Sequence, residues 1–253
     1  MDDLSKRYVG GTAAQYEHIR ASGKKWAAEN RAVEQLLTCV PEGSRILDVP
    51  VGTGRFIPYY KDRHFETYGI DASADMIAQA RARASDVGLE VLLDEGDIRA
   101  LPFADGFFDL AVCIRFLNLI DSQFVDAALR ELVRVSRDKV LIGIRYLAPI
   151  SDLRAQWVDL VGMLARRTGF TQYLAHRWKV VLHDKAFVTG LLDDVGVHVV
   201  HTNHLQRRWD GTDYLILLVE KQASARRCEG EPPDLHAAQR RDGADRPGRG
   251  SRA

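Results

Sequence analysis

Arg45-Ile46-Leu47-Asp48-Val49-Pro50-Val51-Gly52-Thr53-Gly54-Arg55-Phe56 decides the reading of this chain. A short apolar run reads as a buried strand. An acid, Asp48, stands at its end, a tight Gly-x-Gly turn follows, and a helix starts beyond it. Glycines let backbone N–H groups come close to a polar ligand, and a helix start offers such groups unpaired. A strand, turn and helix of this kind is therefore a candidate ligand cradle as well as a structural corner.

Working outward, strand-like and helix-like runs alternate from about Arg45 to Glu220. The strand candidates are Arg45–Val49, Glu66–Ile70, Leu89–Leu93, Phe108–Cys113, Lys139–Arg145, Val197–His201 and Tyr214–Glu220. Most are short and nearly all apolar, as strands covered on both faces are. Between them, Ser73 is placed to cap a helix with Met76, Ile77, Ala80 and Ala84 on one face and Gly88 past its end. Asp121 precedes a second, with Phe124, Val125, Ala128, Leu129, Leu132 and Val133 at helical spacing. Asp184 precedes a third, Lys185–Val195, stopped by Gly196. Alternation of this kind implies βαβ units and an α/β, doubly wound, mostly parallel sheet. Ligands bind such sheets beyond the carboxyl ends of the strands.

The chain has 253 residues, and 46 % of them are hydrophobic, enough for a sizeable core. Its 35 basic and 35 acidic side chains cancel, which argues against a nucleic-acid partner. The three cysteines, Cys39, Cys113 and Cys228, show neither metal spacing nor a disulfide framework, which suits a reducing cytoplasm. The acidic start, Met1-Asp2-Asp3, lacks the apolar run of a secretory signal. No stretch approaches the roughly 20 apolar residues of a membrane helix. One domain over residues 1–221 is expected, with 1–40 as an N-terminal helical cap and 151–182 as a lid-like insertion. Residues 222–253, rich in Arg, Gly, Pro, Asp and Glu, read as a disordered tail.

Four pieces stand in a fixed order: Asp48-x-Pro50-x-Gly52-x-Gly54; Asp71, ending Tyr68-Gly69-Ile70-Asp71-Ala72-Ser73; Glu95-Gly96-Asp97-Ile98, followed by Leu101-Pro102-Phe103; and Asp105-Gly106-Phe107-Phe108-Asp109 running on to Cys113. This order resembles the class I S-adenosylmethionine-dependent methyltransferases, well over Arg45 to Arg145 and more loosely to Glu220. The resemblance implies a Rossmann-like sheet of seven strands with one antiparallel strand near the C-terminal edge. A hairpin-like Trp209-Asp210-Gly211-Thr212-Asp213 turn agrees with that strand. It also implies S-adenosylmethionine as cofactor. Asp48 would orient the turn and, through water, the ligand's ammonium. Gly52, Thr53 and Gly54 would line the methionine portion, and Asp71, beside Ala72, would accept from both ribose hydroxyls. Asp97 would accept from the adenine amino group, Met76 and Ile98 would sandwich the ring, and the backbone at Cys113 would meet the cofactor's amino group. Pro50 departs from the family's usual glycine; it fixes φ and removes a donor.

A nicotinamide-binding turn competes for the same residues. It expects a third glycine three positions after Gly54, where Ile57 stands. Methyl transfer from a sulfonium needs donor and acceptor brought together in a dry site, and a base only for a protonated, poorly nucleophilic acceptor. No catalytic residue is therefore fixed by the cofactor motifs. Arg115, Asn118, Arg145, His176 and His183 are the candidates on the substrate side, with Tyr16 and Trp26 placed to close the pocket. Each competes with an ordinary structural role. The basic and aromatic run Arg166–Lys179 would suit an anionic acceptor. His198, His201 and His204, three apart on a strand, point to alternating faces and are not expected to hold a metal. The expected function is methyl transfer to a small-molecule or sugar acceptor. An RNA or protein methyltransferase and a non-catalytic cofactor-binding module are the alternatives.

Overall fold

The computed structural model describes residues 24–147, 183–207 and 212–222. The expectations for Tyr8, Tyr16, His176, the 151–182 insertion, the turn at Trp209-Asp210-Gly211 and the 223–253 tail lie outside these residues.

Helix α1 (Lys24–Leu37) leads into β1 (Arg45–Asp48), α2 (Ile57–Asp62), β2 (Glu66–Asp71), α3 (Ala74–Val87), β3 (Val91–Glu95) and β4 (Phe108–Cys113). A 3-10 turn at Leu117–Leu119, α4 (Ser122–Val135), β5 (Ser136–Leu147), the two-residue β6 (His183–Asp184), α5 (Lys185–Asp194), β7 (Val197–Arg207) and β8 (Thr212–Lys221) complete it. The main path of the sheet runs β3-β2-β1-β4-β5-β8-β7, with β6 attached to β5. All pairs are parallel except those of β8, which runs antiparallel to both β5 and β7. The seven-stranded, mostly parallel sheet with one reversed strand beside its edge is thus as the sequence implies.

Local chemistry explains the helices. Ser73 is extended and its side chain accepts from the Met76 amide, while Gly88 ends α3 at φ 65°. Asp121 caps α4 through Phe124 N. Apolar faces of α1, α2 and α3 (Val33, Leu37, Ile57, Tyr60, Ile77, Ala80) pack on one side of the sheet. Those of α4 and α5 (Val125, Leu129, Leu132, Val188, Leu191) cover the other.

The Leu-Pro-Phe and Phe-Phe-Asp segments have a structural explanation. Phe103, Phe107, Phe108 and Tyr68 form a buried aromatic group, with Phe103 and Phe108 centroids 4.7 Å apart and nearly perpendicular. Arg134 donates to the carbonyls of Phe103 at 2.7 Å and Leu101 at 3.0 Å. Asp109 Oδ2 accepts from Arg45 N at 2.9 Å, tying the starts of β1 and β4 together.

Strand order reverses between β1 and β4: β2 and β3 extend the sheet one way, β4 and β5 the other. A crevice opens at such a point, beyond the carboxyl ends of the two central strands. Asp48 and Cys113 are the last residues of those strands.

Candidate cofactor and acceptor site

A cavity lies at that crevice. The end of β1 and its turn contribute Asp48, Val49, Pro50, Val51, Gly52, Thr53, Arg55 and Phe56; the end of β2 contributes Asp71, Ala72 and Ser73. Met76 comes from α3, Gly96 and Ile98 from beyond β3, and Ile114, Arg115, Phe116 and Leu119 from beyond β4; Trp26 of α1 completes the wall. Eight of the expected cofactor residues therefore meet here: Asp48, Pro50, Gly52, Thr53, Asp71, Ala72, Met76 and Ile98.

The turn is held from across the crevice. Asp71 Oδ2 accepts from the Gly52 amide at 2.9 Å, and Oδ1 from Ser73 N at 3.0 Å. Burial pushes the Asp71 carboxyl up, against the pull of the Ser73, Gly52 and Ala72 amides. Gly52 has φ 56° with open space where a Cβ would stand. Gly54, at φ 73°, is different. A Cβ there would stand 2.6 Å from Ile57 Cδ1 and 3.1 Å from Ala80 Cα, so this glycine admits α3 to the turn and is not part of the cavity wall. Proline serves at position 50 because the turn's bonds start one residue later, with Val51 N donating to Ile70 O at 2.9 Å.

Asp97 and Cys113 stand beside the wall. The Asp97 carboxylate is taken by Arg99, whose Nη2 lies 2.6 Å from Oδ2, while its neighbours Gly96 and Ile98 face the cavity. Cys113 is fully buried, and burial pushes its thiol up.

The candidate substrate-side residues divide. Arg115 lines the cavity with its backbone left-handed at φ 65°, a strained setting for a side chain of its size. Asn118, His183 and Arg145 are outside the wall. Asn118 is buried in the 3-10 turn. His183 is buried with Nε2 2.8 Å from Leu117 O and its ring beside Phe187, a structural setting. The Arg145 guanidinium lies over the Tyr214 ring, 4.7 Å from its centroid. His198, His201 and His204 are exposed on β7.

Sequence reasoning missed Glu29. It lies on α1, only 1 % exposed, and its Oε2 accepts from Arg55 Nη1 at 2.5 Å and Arg115 Nη1 at 3.0 Å. Its Oε1 accepts from the Tyr214 hydroxyl. Burial would raise this carboxyl, but Arg115 and Arg55, with hydrogen bonds from Tyr214 and Arg55, outweigh it and hold it below the ordinary value. Arg55 also donates to Asn30 Oδ1 at 2.7 Å and Trp26 O at 2.9 Å, and stacks on the Trp26 ring at 3.5 Å. Gly143 of β5 leaves room for this junction; a Cβ there would stand 3.0 Å from the Tyr214 hydroxyl oxygen. The available signal was an acid three residues after Trp26, on a helix that also carries the exposed Glu34.

Comparison with known proteins adds relatives of this fold. Residues 46–139 match the family described as "Methyltransferase domain". Over that stretch, from β1 into β5, the chain is similar to methyltransferase domains. A demethylmenaquinone methyltransferase of Thermus thermophilus is 42 % identical over 108 residues, 42 % of this chain and 47 % of that protein. The chain spans about half the length of this and two further curated relatives. Two solved structures share the fold. Magnesium protoporphyrin IX methyltransferase of Synechocystis, with bound S-adenosylhomocysteine, has TM-score 0.65 at 16 % identity, covering 87 % of this chain and 99 % of its own. The [4+2]-cyclase SpnF has TM-score 0.61 at 19 % identity, covering 81 % and 84 %.

Proposed function

We propose that this chain binds S-adenosylmethionine in the cavity between β1 and β4 and transfers its methyl group to a small-molecule acceptor. The observation that carries the reading is the joining of two acids, a glycine turn and two apolar side chains in one crevice: Asp48 and Asp71, Gly52 in the open arc of the turn, Met76 and Ile98. Asp71 keeps lone-pair capacity beyond its amide bonds, so it can accept from ribose hydroxyls while holding the turn. Met76 and Ile98 suit the faces of an adenine ring, and Gly52 and Thr53 the methionine portion. Gly54 supports the turn from behind, and Asp97 and Cys113 belong to the segments that flank the ring and the amino group.

The acceptor would enter from the side of Trp26, Phe56, Arg115, Phe116 and Leu119, an aromatic and apolar rim with one guanidinium. That rim, the neutral overall charge and the small-molecule acceptors named for two relatives favour a small acceptor over RNA or protein. The chain's own residues orient and exclude water; the cofactor supplies an already activated methyl group. Fold does not fix reaction, as the cyclase among the structural neighbours illustrates, so a cofactor-binding protein with other chemistry is the second reading. Calorimetric titration with S-adenosylmethionine, repeated on Asp71→Ala and with NAD as control, tests the binding. Binding that is lost with the variant and absent with NAD supports it; no binding at millimolar cofactor ends it.

A further inference from the structure

The junction around Glu29 reaches the cavity through two guanidiniums, and the two are used differently. Arg55 is 8 % exposed, and its three nitrogens are given to Asn30, Glu29 and the Trp26 carbonyl. Arg115 gives Nη1 to Glu29, yet its side chain is 26 % exposed where that of Glu29 is 1 %. The backbone at Arg115 is held at φ 65°, and Gly143 leaves room for it: a Cβ at Gly143 would stand 3.4 Å from Arg115 N. Strain of this kind persists where the surroundings impose it, and it gathers at ligand-holding positions. The Arg115 guanidinium carbon also lies over the Trp26 ring, 5.7 Å from its centroid. Phe56, Ile114, Phe116 and Leu119 form the apolar wall around this pair.

We infer that Arg115 is the acceptor-selecting residue of this cavity, and that the acceptor it selects is a planar, apolar molecule carrying a carboxylate. The inference rests on the methyl-transfer reading above. Among the described residues, two guanidiniums share the Glu29 carboxylate, while their other partners in the junction, Tyr214 and Asn30, are neutral. The set therefore keeps one positive charge, which matches a monoanion. A guanidinium takes a carboxylate through two parallel N–H bonds. Glu29 on one nitrogen and the Trp26 ring beside it limit the orientations open to Arg115, so less freedom is lost when a ligand pairs with it. The aromatic wall takes the planar body. A neutral acceptor of the same shape would cover the guanidinium without offsetting its charge, and that difference sets the selectivity.

The test uses protein saturated with S-adenosylhomocysteine, which has no methyl group to transfer. Calorimetry at neutral pH compares 2-naphthoate with 2-naphthamide, which share a planar body and differ in charge. The wild type should bind the carboxylate about tenfold more tightly, or better. Arg115→Gln should reduce that preference to about threefold or less, and Arg115→Lys, which keeps the charge without the fork, should fall between. Affinity for S-adenosylhomocysteine should be little changed in both variants. A wild-type preference near one, or no binding of naphthoate at millimolar concentration, overturns the inference while the cofactor reading stands. Equal losses of S-adenosylhomocysteine and naphthoate in Arg115→Gln overturn it too, since the residue would then be structural. If the wild type does not bind S-adenosylhomocysteine, the cofactor reading fails and this one with it. Should Arg115→Gln not fold, the wild type and Arg115→Lys decide: an undiminished preference in Arg115→Lys is the overturning result.

Discussion

Arg55 Nη1 lies 2.5 Å from Glu29 Oε2, and this contact fastens α1 to the turn that follows β1. Both groups are buried, and Arg115 and Tyr214 close on the same carboxylate. Removing one partner from a buried set leaves the other charges stranded in a poor solvent.

Glu29→Ala should therefore cost about 3–5 kcal/mol of stability, seen as a fall in melting temperature of roughly 6–20 °C. The native carboxyl is held below its ordinary value of 4.5, so its contribution is present above that pH and is lost as pH falls through the folded value. A variant within 1 kcal/mol of wild type in urea unfolding would contradict this account.

Gly54→Ala and Gly52→Ala should separate packing from binding. Both glycines are left-handed, but only at Gly54 does a new Cβ meet backbone, 3.1 Å from Ala80 Cα. Gly54→Ala should lose about 2–4 kcal/mol in chemical unfolding, and Gly52→Ala about 1 kcal/mol. Cofactor affinity should fall more for Gly52→Ala than its stability does, because its open side faces the cavity.

Asp71→Asn keeps the shape of the acid but turns one acceptor into a donor facing an amide. Affinity for S-adenosylmethionine should fall by at least tenfold, about 1.4 kcal/mol, as measured by calorimetry. An unchanged affinity would remove Asp71 from the proposed ribose contact.

Stability against pH carries a signature of Asp48. Its folded value, about 7, lies above the unfolded 3.8. The folded state then holds the proton more tightly, so this contribution is complete below pH 3.8 and is lost as pH rises through about 7. It amounts to on the order of 4 kcal/mol across that window. Denaturation of the ligand-free protein should show Asp48→Asn losing less stability than wild type between pH 5 and pH 8; parallel curves would count against a protonated Asp48.

His183→Ala should lower stability by about 1–3 kcal/mol through the stranded Leu117 carbonyl and the lost ring packing. Cofactor affinity should stay within twofold. A large loss of affinity would return His183 to the site.

Much of this was legible because local and global signals agree. The Ser73 cap and Gly88 stop lie in the sequence three residues before Met76 and just after Val87, and both are used as read. Asp48, Asp71 and the glycine turn were found because their order along the chain follows the order of the strands. Strand limits were less visible. β3 spans Val91–Glu95, two residues later than the apolar run suggests, because its partner register with Thr67–Asp71 sets it. β5 and β7 run longer than their apolar runs, since pairing with β8 extends both at their C-terminal ends and the irregular pairing of Ser136 with Phe108 extends β5 at its start. Gly54 and Asp97 look alike as motif residues, yet one meets α3 and the other Arg99, and neither neighbour is fixed by spacing. Glu29 was invisible because its three partners lie 26, 86 and 185 residues away.

The reversed strand β8 lies between β5 and β7, although it follows both in the chain. During synthesis β7 has no hydrogen-bonding neighbour among the described strands to join until β8 arrives, so the sheet is completed from its interior by the last of those strands to be made. The same insertion brings Tyr214 to Glu29, so the helix made earliest among those described gains its final anchor only then. A nascent chain halted before Thr212 should hold β1 to β5 together while β7 and the α1 side of the cavity stay open to proteases, which makes completion of the cavity a late checkpoint in biogenesis.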